Sequence, residues 1–200
     1  MNLALFDFDG TITTREMYRD FIEAAVPRAR RVVGAVLFAP WVVGYKLGLV
    51  SGSAIRAAVV RFGFRGVEQV HVAEVGRRFA HDMLPGVLRP EVMARIQWHR
   101  DQGDRIIVVS GGLDLYLSHW CRMHGLEWLC TSLEARQGYL TGRHEGRQCV
   151  GEEKARRIRQ ALDLDQYPVI YAYGDTHEDH AMLTLAHRRY FRGVEVSSHS

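Results

Sequence analysis

The sequence predicts an α/β fold, a Rossmann-like, doubly wound parallel sheet with a helical cap inserted after the first strand. Three observations carry that expectation. Apolar runs at Leu3–Phe6, Ile106–Val109 and Val169–Tyr173 are short and continuous, as strands buried on both faces are. Segments with helical apolar spacing alternate with the runs, and such alternation builds a parallel sheet covered by helices. The first two runs are separated by far more chain than a simple crossover requires.

Taken in order, Leu3–Phe6 leads into Asp7-Phe8-Asp9-Gly10-Thr11, where Gly10 permits a tight backbone at the carboxyl edge of the sheet. Met17, Phe21, Ile22 and Ala25 give Glu16–Ala25 a helical apolar face, which Pro27 ends. From Arg28 to about Pro85 the chain reads as mostly helical, so the expected division is 1–16 and 86–200 for the core and 17–85 for the cap. Pro90 suits the first turn of a helix bearing Val92, Met93, Ile96 and His99, and Gly103 its end, before a strand at Arg105–Val109. Leu113–His124 reads as a helix closed by Gly125. Trp128–Glu134 and Tyr139–Thr141 flank Gln137-Gly138 as a strand and a hairpin-like return. The remainder reads as a helix at Glu152–Leu162, the strand Val169–Tyr173 and a last helix.

Two hundred residues, 47% of them hydrophobic, can bury a sizeable core, enough for one domain and a modest insertion. There is no internal repeat or low-complexity segment, and only the polar tail Ser197–Ser200 is expected to fray. Cys121, Cys130 and Cys149 are odd in number and lack CxxC spacing, which excludes a disulfide framework or structural zinc site and leaves three reduced thiols. Asp7 and Asp9 interrupt the position where a secretory signal needs its apolar core, so the expected location is cytoplasmic. The formal charge of +3 favours anionic ligands or surfaces without making a nucleic-acid binder. Lys154, Arg156, Arg157 and Arg159 form the clearest basic run, of the kind that usually marks a solvated helix face.

The chemistry gathers at strand ends. Asp7 and Asp9 follow the first strand, Ser110-Gly111-Gly112 the second, and Gly174-Asp175 with Asp179 the third, while Lys154 lies on the helix before that third strand. A hydroxyl followed by two glycines lets backbone amides face an anion. Four carboxylates where a phosphate would enter repel it: one unit pair at about 4 Å costs about 1 kcal/mol in water and roughly 4 at an effective dielectric of about 20. A cation must offset this, and Mg2+ fits because it prefers oxygen ligands and bridges carboxylates to phosphate. His177 and His180 sit nearby without zinc-motif spacing.

These residues, in this order, resemble the haloacid dehalogenase superfamily, whose motifs are DxDGT, a Ser or Thr after a strand, a Lys, and GDxxxD. The stretches Gly138-Tyr139-Leu140-Thr141-Gly142 and Gly151-Glu152-Glu153-Lys154 look closest to its phosphoserine-phosphatase-like branch, subfamily IB. The resemblance implies a magnesium-dependent phosphomonoester hydrolase with Asp7 as nucleophile, forming an aspartyl-phosphate, and Asp9 as general acid and base. It assigns the metal to Asp7, Asp175 and the backbone carbonyl of Asp9, places Asp179 behind them to orient metal waters or Lys154, and gives Lys154, Ser110 and Gly111 to the phosphoryl group. It also gives the inserted cap the role of selecting the substrate.

The substrate class is expected to be a small organic phosphate. Glu16 stands where phosphoserine phosphatases place an acid for the substrate amine, and Arg56 could meet a carboxylate. Glu178, however, replaces the asparagine those enzymes carry in their last motif. Val32–Tyr45 contains no charge and is flanked by Arg28, Arg30, Arg31 and Lys46. The expected role of this stretch is to pack inside the cap; the alternative is peripheral membrane contact and a lipid-headgroup phosphate, such as that of a phosphatidylglycerophosphatase. A receiver-like phosphoacceptor protein shares the acids, hydroxyl and lysine, but it carries its acceptor on a middle strand and lacks so large an insertion. Nothing in the motifs fixes an oligomeric state.

Overall fold

A computed structural model describes residues 1–196; the expected fraying of Ser197–Ser200 lies outside them. The central sheet has six strands: β1 (Leu3–Phe6), β2 (Arg105–Leu113), β3 (Glu127–Thr131), β6 (Ile170–Gly174), β7 (Arg188–Phe191) and β8 (Val194–Val196). Their order is β3-β2-β1-β6-β7-β8, all parallel except β8, which runs antiparallel at the edge. A separate hairpin joins β4 (Leu133–Arg136) to β5 (Tyr139–His144).

Alternation along β1 explains its burial on both sides. Leu3 and Leu5 face one core layer with Ile107, Val109, Ile170 and Ala172. Ala4 and Phe6 face the other with Ile106, Val108, Tyr171 and Tyr173, where the rings of Phe6 and Tyr173 stack at 4.2 Å. The first layer is closed by α7 (Glu152–Ala161) and α8 (His180–Leu183), the second by α5 (Pro90–Asp101), α6 (Asp114–Met123) and helices of the insertion.

Between β1 and β2 four helices precede α5: α1 (Tyr18–Ala25), α2 (Arg28–Lys46), α3 (Gly52–Phe64) and α4 (Gln69–Asp82). The chain leaves and re-enters the core side by side, since Thr14 N–H donates to Val87 O at 2.8 Å and Arg89 N–H to Ile12 O at 2.8 Å. Helix α4 crosses α6 closely at Gly76, where a Cβ would land on the carbonyl oxygen of Leu115.

Four sequence expectations need correction. The stretch read as one strand at Trp128–Glu134 splits, because Thr131 ends the pairing with β2 and Leu133 starts the hairpin. Gln137 and Gly138 both have positive φ, 51° and 82°, which is the geometry that closes a tight two-residue hairpin. Strand β2 continues irregularly past Val109 to Leu113, with a register shift after Ser110. Strands β7 and β8 were not foreseen: Arg188-Arg189-Tyr190-Phe191 is too charged to read as buried, as suits strands near a sheet edge. Finally, Val32–Tyr45 does not fill a cap interior. Val36 is 73% exposed and Leu37 56%, and α2 meets α3 along a seam at Gly34 and Phe38 against Phe62.

Candidate active site

Strand β1 sits where the connections turn in opposite directions, to β2 on one side and to β6 on the other. Crevices at such switch points, outside the carboxyl ends of strands, are where open α/β sheets bind ligands. Asp7 leaves β1 there, and its N–H donates to Tyr173 O at 2.9 Å, so β6 delivers Asp175 alongside. Gly10 turns the chain with φ +81°, and a Cβ at this position would strike the Asp175 carboxylate.

Lys154 ties the acids together. Its ammonium donates to Asp7 Oδ1 and to Asp179 Oδ1, each at 2.6 Å, and is 2% exposed. The other oxygen of Asp179 accepts from the N–H groups of Asp175 and Thr176 at 3.0 Å and from the Thr176 hydroxyl at 3.2 Å. Thr176 and Asp179 form a capping box on the short turn His177–Asp179, the local reason for Thr in this Gly-Asp-Thr-His-Glu-Asp stretch. Asp175 Oδ1 accepts from the Thr11 hydroxyl at 3.2 Å, and Ser110 Oγ from Gly112 N–H at 2.9 Å. Asp9 turns its carboxylate away from this group to accept from Met17 N–H at 2.7 Å.

The charges follow from burial. Desolvation pushes the Asp7 carboxyl up to about 8 against the pull of Lys154, and Asp9 up to about 6 against the Met17 N–H. Asp175 is raised by burial and by Asp179. Burial also acts on Asp179, but the Lys154 ammonium and the two backbone amides outweigh it, so its carboxyl lies below the usual range. Burial disfavours the charge on Lys154, yet the facing Asp7 and Asp179 hold it firmly protonated.

Carboxylate oxygens of Asp7, Asp175 and Asp179 lie within 4.8 Å of one another, the one such cluster among the described residues. His177 and His180 take no part in it. An all-oxygen set of this kind fits a hard divalent cation. Because Lys154 and the backbone occupy both oxygens of Asp179, Asp7 and Asp175 are the freer donors.

One cavity of about 40 Å³ collects Asp7, Asp9, Ser110, Gly111, Lys154 and Asp179 with Glu16 and Arg56 from the insertion side. Every residue to which the sequence assigned a part in catalysis, metal or substrate binding is at this cavity except Asp175, which adjoins it through Asp179 and, with Gly10 and Thr11, lines a neighbouring one. Tyr18, Gly112, Thr176 and Glu178 complete its wall. Sequence reasoning gave Tyr18 no role; its hydroxyl donates to Arg56 O at 3.2 Å, a contact that no motif signals. Arg56 meets Glu178 at 3.5 Å. The basic run on α7 is not a uniform solvated face: Lys154 is buried, while Arg156 and Arg157 bond Glu153.

Known proteins are similar to this chain in sequence and in fold. Protein CicA of Caulobacter vibrioides NA1000 is 30% identical over 193 residues, covering 95% of this chain and 85% of that protein. A Bordetella pertussis Tohama I protein of unknown function shares the fold with TM-score 0.77 at 23% identity, over 94% of this chain and 88% of that one. A substrate-bound phosphoserine phosphatase complex shares it with TM-score 0.65 at 19% identity, over 95% and 85%. The sequence profile of the haloacid dehalogenase-like hydrolases matches residues 4–184, from the first strand through the last acidic motif, so this chain belongs to that family.

Proposed function

We propose that the protein is a magnesium-dependent phosphomonoesterase acting through a phosphorylated Asp7 on a small organic phosphate. The observation that carries this reading is the contact of Lys154 with both Asp7 and Asp179 beside Ser110, a nucleophile and its charge-neutralising partners in one cavity. Asp7, Asp175 and the Asp9 backbone carbonyl would hold Mg2+, which when bound supplies neutralisation of the phosphoryl charge. Asp179 orients Lys154.

In this reading an Asp7 carboxylate oxygen attacks phosphorus, and the ester oxygen leaves with a proton from Asp9. Asp9 then takes a proton from water as that water attacks the phosphorus, which frees phosphate and restores Asp7. Burial of Asp9, with its carboxyl near 6, suits a group that must both give and take a proton close to neutrality. Lys154, the Ser110 hydroxyl and the Gly111 amide stabilise charge on the transferring group, while the Gly112 N–H holds Ser110 Oγ in place.

Residues 17–85 act as the cap that selects the substrate, with Tyr18 and Arg56 at the wall beside Glu16 of the core. Since Glu178 already pairs with Arg56, a substrate carboxylate must compete for that cation, which weighs against phosphoserine. A lipid-borne phosphate monoester is the second reading, favoured by the exposed apolar surface of α2.

The test is Mg2+-dependent phosphate release across phosphoserine, sugar and nucleotide monophosphates and phosphatidylglycerophosphate, with Asp7→Asn as control. Selective turnover lost in the control supports the reading and identifies the ester. Failure of every ester with Mg2+ bound and the fold intact overturns it, and stable phosphate on Asp7 would point to a phosphoacceptor instead.

A further inference from the structure

Between Glu23 and Glu68 the chain has no acidic residue, yet it carries Arg28, Arg30, Arg31, Lys46, Arg61 and Arg65 besides Arg56 of the cavity. The formal +3 of the whole chain therefore divides into +7 for residues 24–67 and −4 for the rest, 19 cations against 23 acids. The same segment concentrates exposed apolar surface. Of eighteen large hydrophobic residues exposed among those described, ten lie between positions 32 and 49, including Val36 at 73%, Trp41 at 45% and Leu49 at 78%.

We propose that the α2–α3 hairpin is a docking surface for an anionic lipid bilayer, with α2 lying in the plane of the interface. Helix α2 has 19 residues, about 28 Å at about 1.5 Å each. Neither it nor any other helix among the described residues is long and apolar enough to cross a membrane. An interfacial helix needs the features α2 has: apolar side chains free to enter the acyl boundary and cations beside them for the headgroups.

The arginines at the start of α2 strengthen the choice of an anion. Three cations near a helix N-terminus oppose its dipole, and the first turn has no acid to offset them. Arg30 is held by the carbonyls of Gly63 and Arg65, while the Arg31 Nε is buried without a partner. A second copy of the chain would be a poor occupant, because symmetric pairing sets one acid-free surface against another. The lipid surface presents the opposite charge.

Docking also places the cavity. Arg56 lies four residues after Gly52, about 6 Å along α3 from the tip that carries exposed Leu47 and Leu49. The opposite charges of hairpin and core would orient the molecule with this wall toward the bilayer. The inference stands on the surface alone and does not require the proposed phosphatase reading.

Sedimentation of the full chain with phosphatidylcholine vesicles, with and without phosphatidylglycerol, tests it. Wild type is expected to bind the anionic vesicles at least about tenfold better than the neutral ones, with added salt weakening binding. The double variant Val36→Glu/Trp41→Glu should lose at least about tenfold of that binding while keeping its circular dichroism and elution volume. Should the double variant misfold, Arg28→Gln is the second probe, with a smaller loss expected. Binding absent from both vesicle types, indifferent to phosphatidylglycerol, or equal in wild type and variants would overturn the proposal. So would a light-scattering dimer that the double variant dissolves while leaving vesicle binding untouched.

Discussion

Asp7 is nearly sealed from water and shares one ammonium with Asp179, and this makes it the residue whose replacement is most informative. Asn keeps the size of the side chain and one oxygen that can accept from Lys154, but it cannot attack phosphorus. Asp7→Asn is therefore expected to cut turnover by at least about 10³-fold, about 4 kcal/mol of barrier, while the circular dichroism spectrum stays that of the folded protein. Wild-type-like phosphate release would remove Asp7 from the mechanism. Glu153, one position before Lys154, has a structural part. Arg156 and then Arg157 hold its carboxyl down at about 2, against an ordinary value of 4.5. A depressed folded-state value stabilises above the unfolded one and is lost as pH falls from about 4.5 through 2. Discounted for the half-exposed Arg156, Glu153→Gln should cost about 1 kcal/mol at pH 7, measured by urea unfolding, and the difference should vanish near pH 2.

At the scale of elements, motif residues and the strands that bear them were readable because each side chain's chemistry follows a short apolar run. The junctions were not. Whether Ser132 continues β3 or separates it from β4 depends on which strand is available to pair, and the local sequence does not carry that information. The α4–α6 crossing depends likewise on a neighbour distant in sequence. Gly76→Ala would push its methyl group into the Leu115 carbonyl and spread the two helices, costing about 1–3 kcal/mol of stability. A thermal midpoint equal to wild type would show that this contact can relax. Helix α2 shows the opposite limit: its apolar pattern was plain, but whether it faces protein or solvent depends on how many neighbours the fold supplies, and it supplies chiefly α3.

For the whole molecule, the acids converge because the strand order reverses beside β1, and each acid alone would be a turn or a cap. Assembled, they concentrate negative charge, and in the proposed function an oxygen-seeking cation would relieve it. Chelation is expected to abolish phosphate release and Mg2+ add-back to restore it; full activity in metal-free protein would refute the metal's role. Tyr18, Arg56 and Glu178 stand with the acids around the cavity of about 40 Å³, so the fold brings side chains from the insertion and from the last acidic motif to one wall.

By itself the sequence determined the α/β class, the helical segment after the first strand and the candidate site residues, because apolar periodicity and the order of motifs are local properties of the chain. Tertiary structure decided the rest. It joined Lys154 to Asp7 across 147 positions, turned Asp9 toward Met17, gave Arg56 to Glu178 and left α2 uncovered. Those outcomes depend on which distant groups share a low-dielectric space, and that is settled only when the sheet and its helices pack.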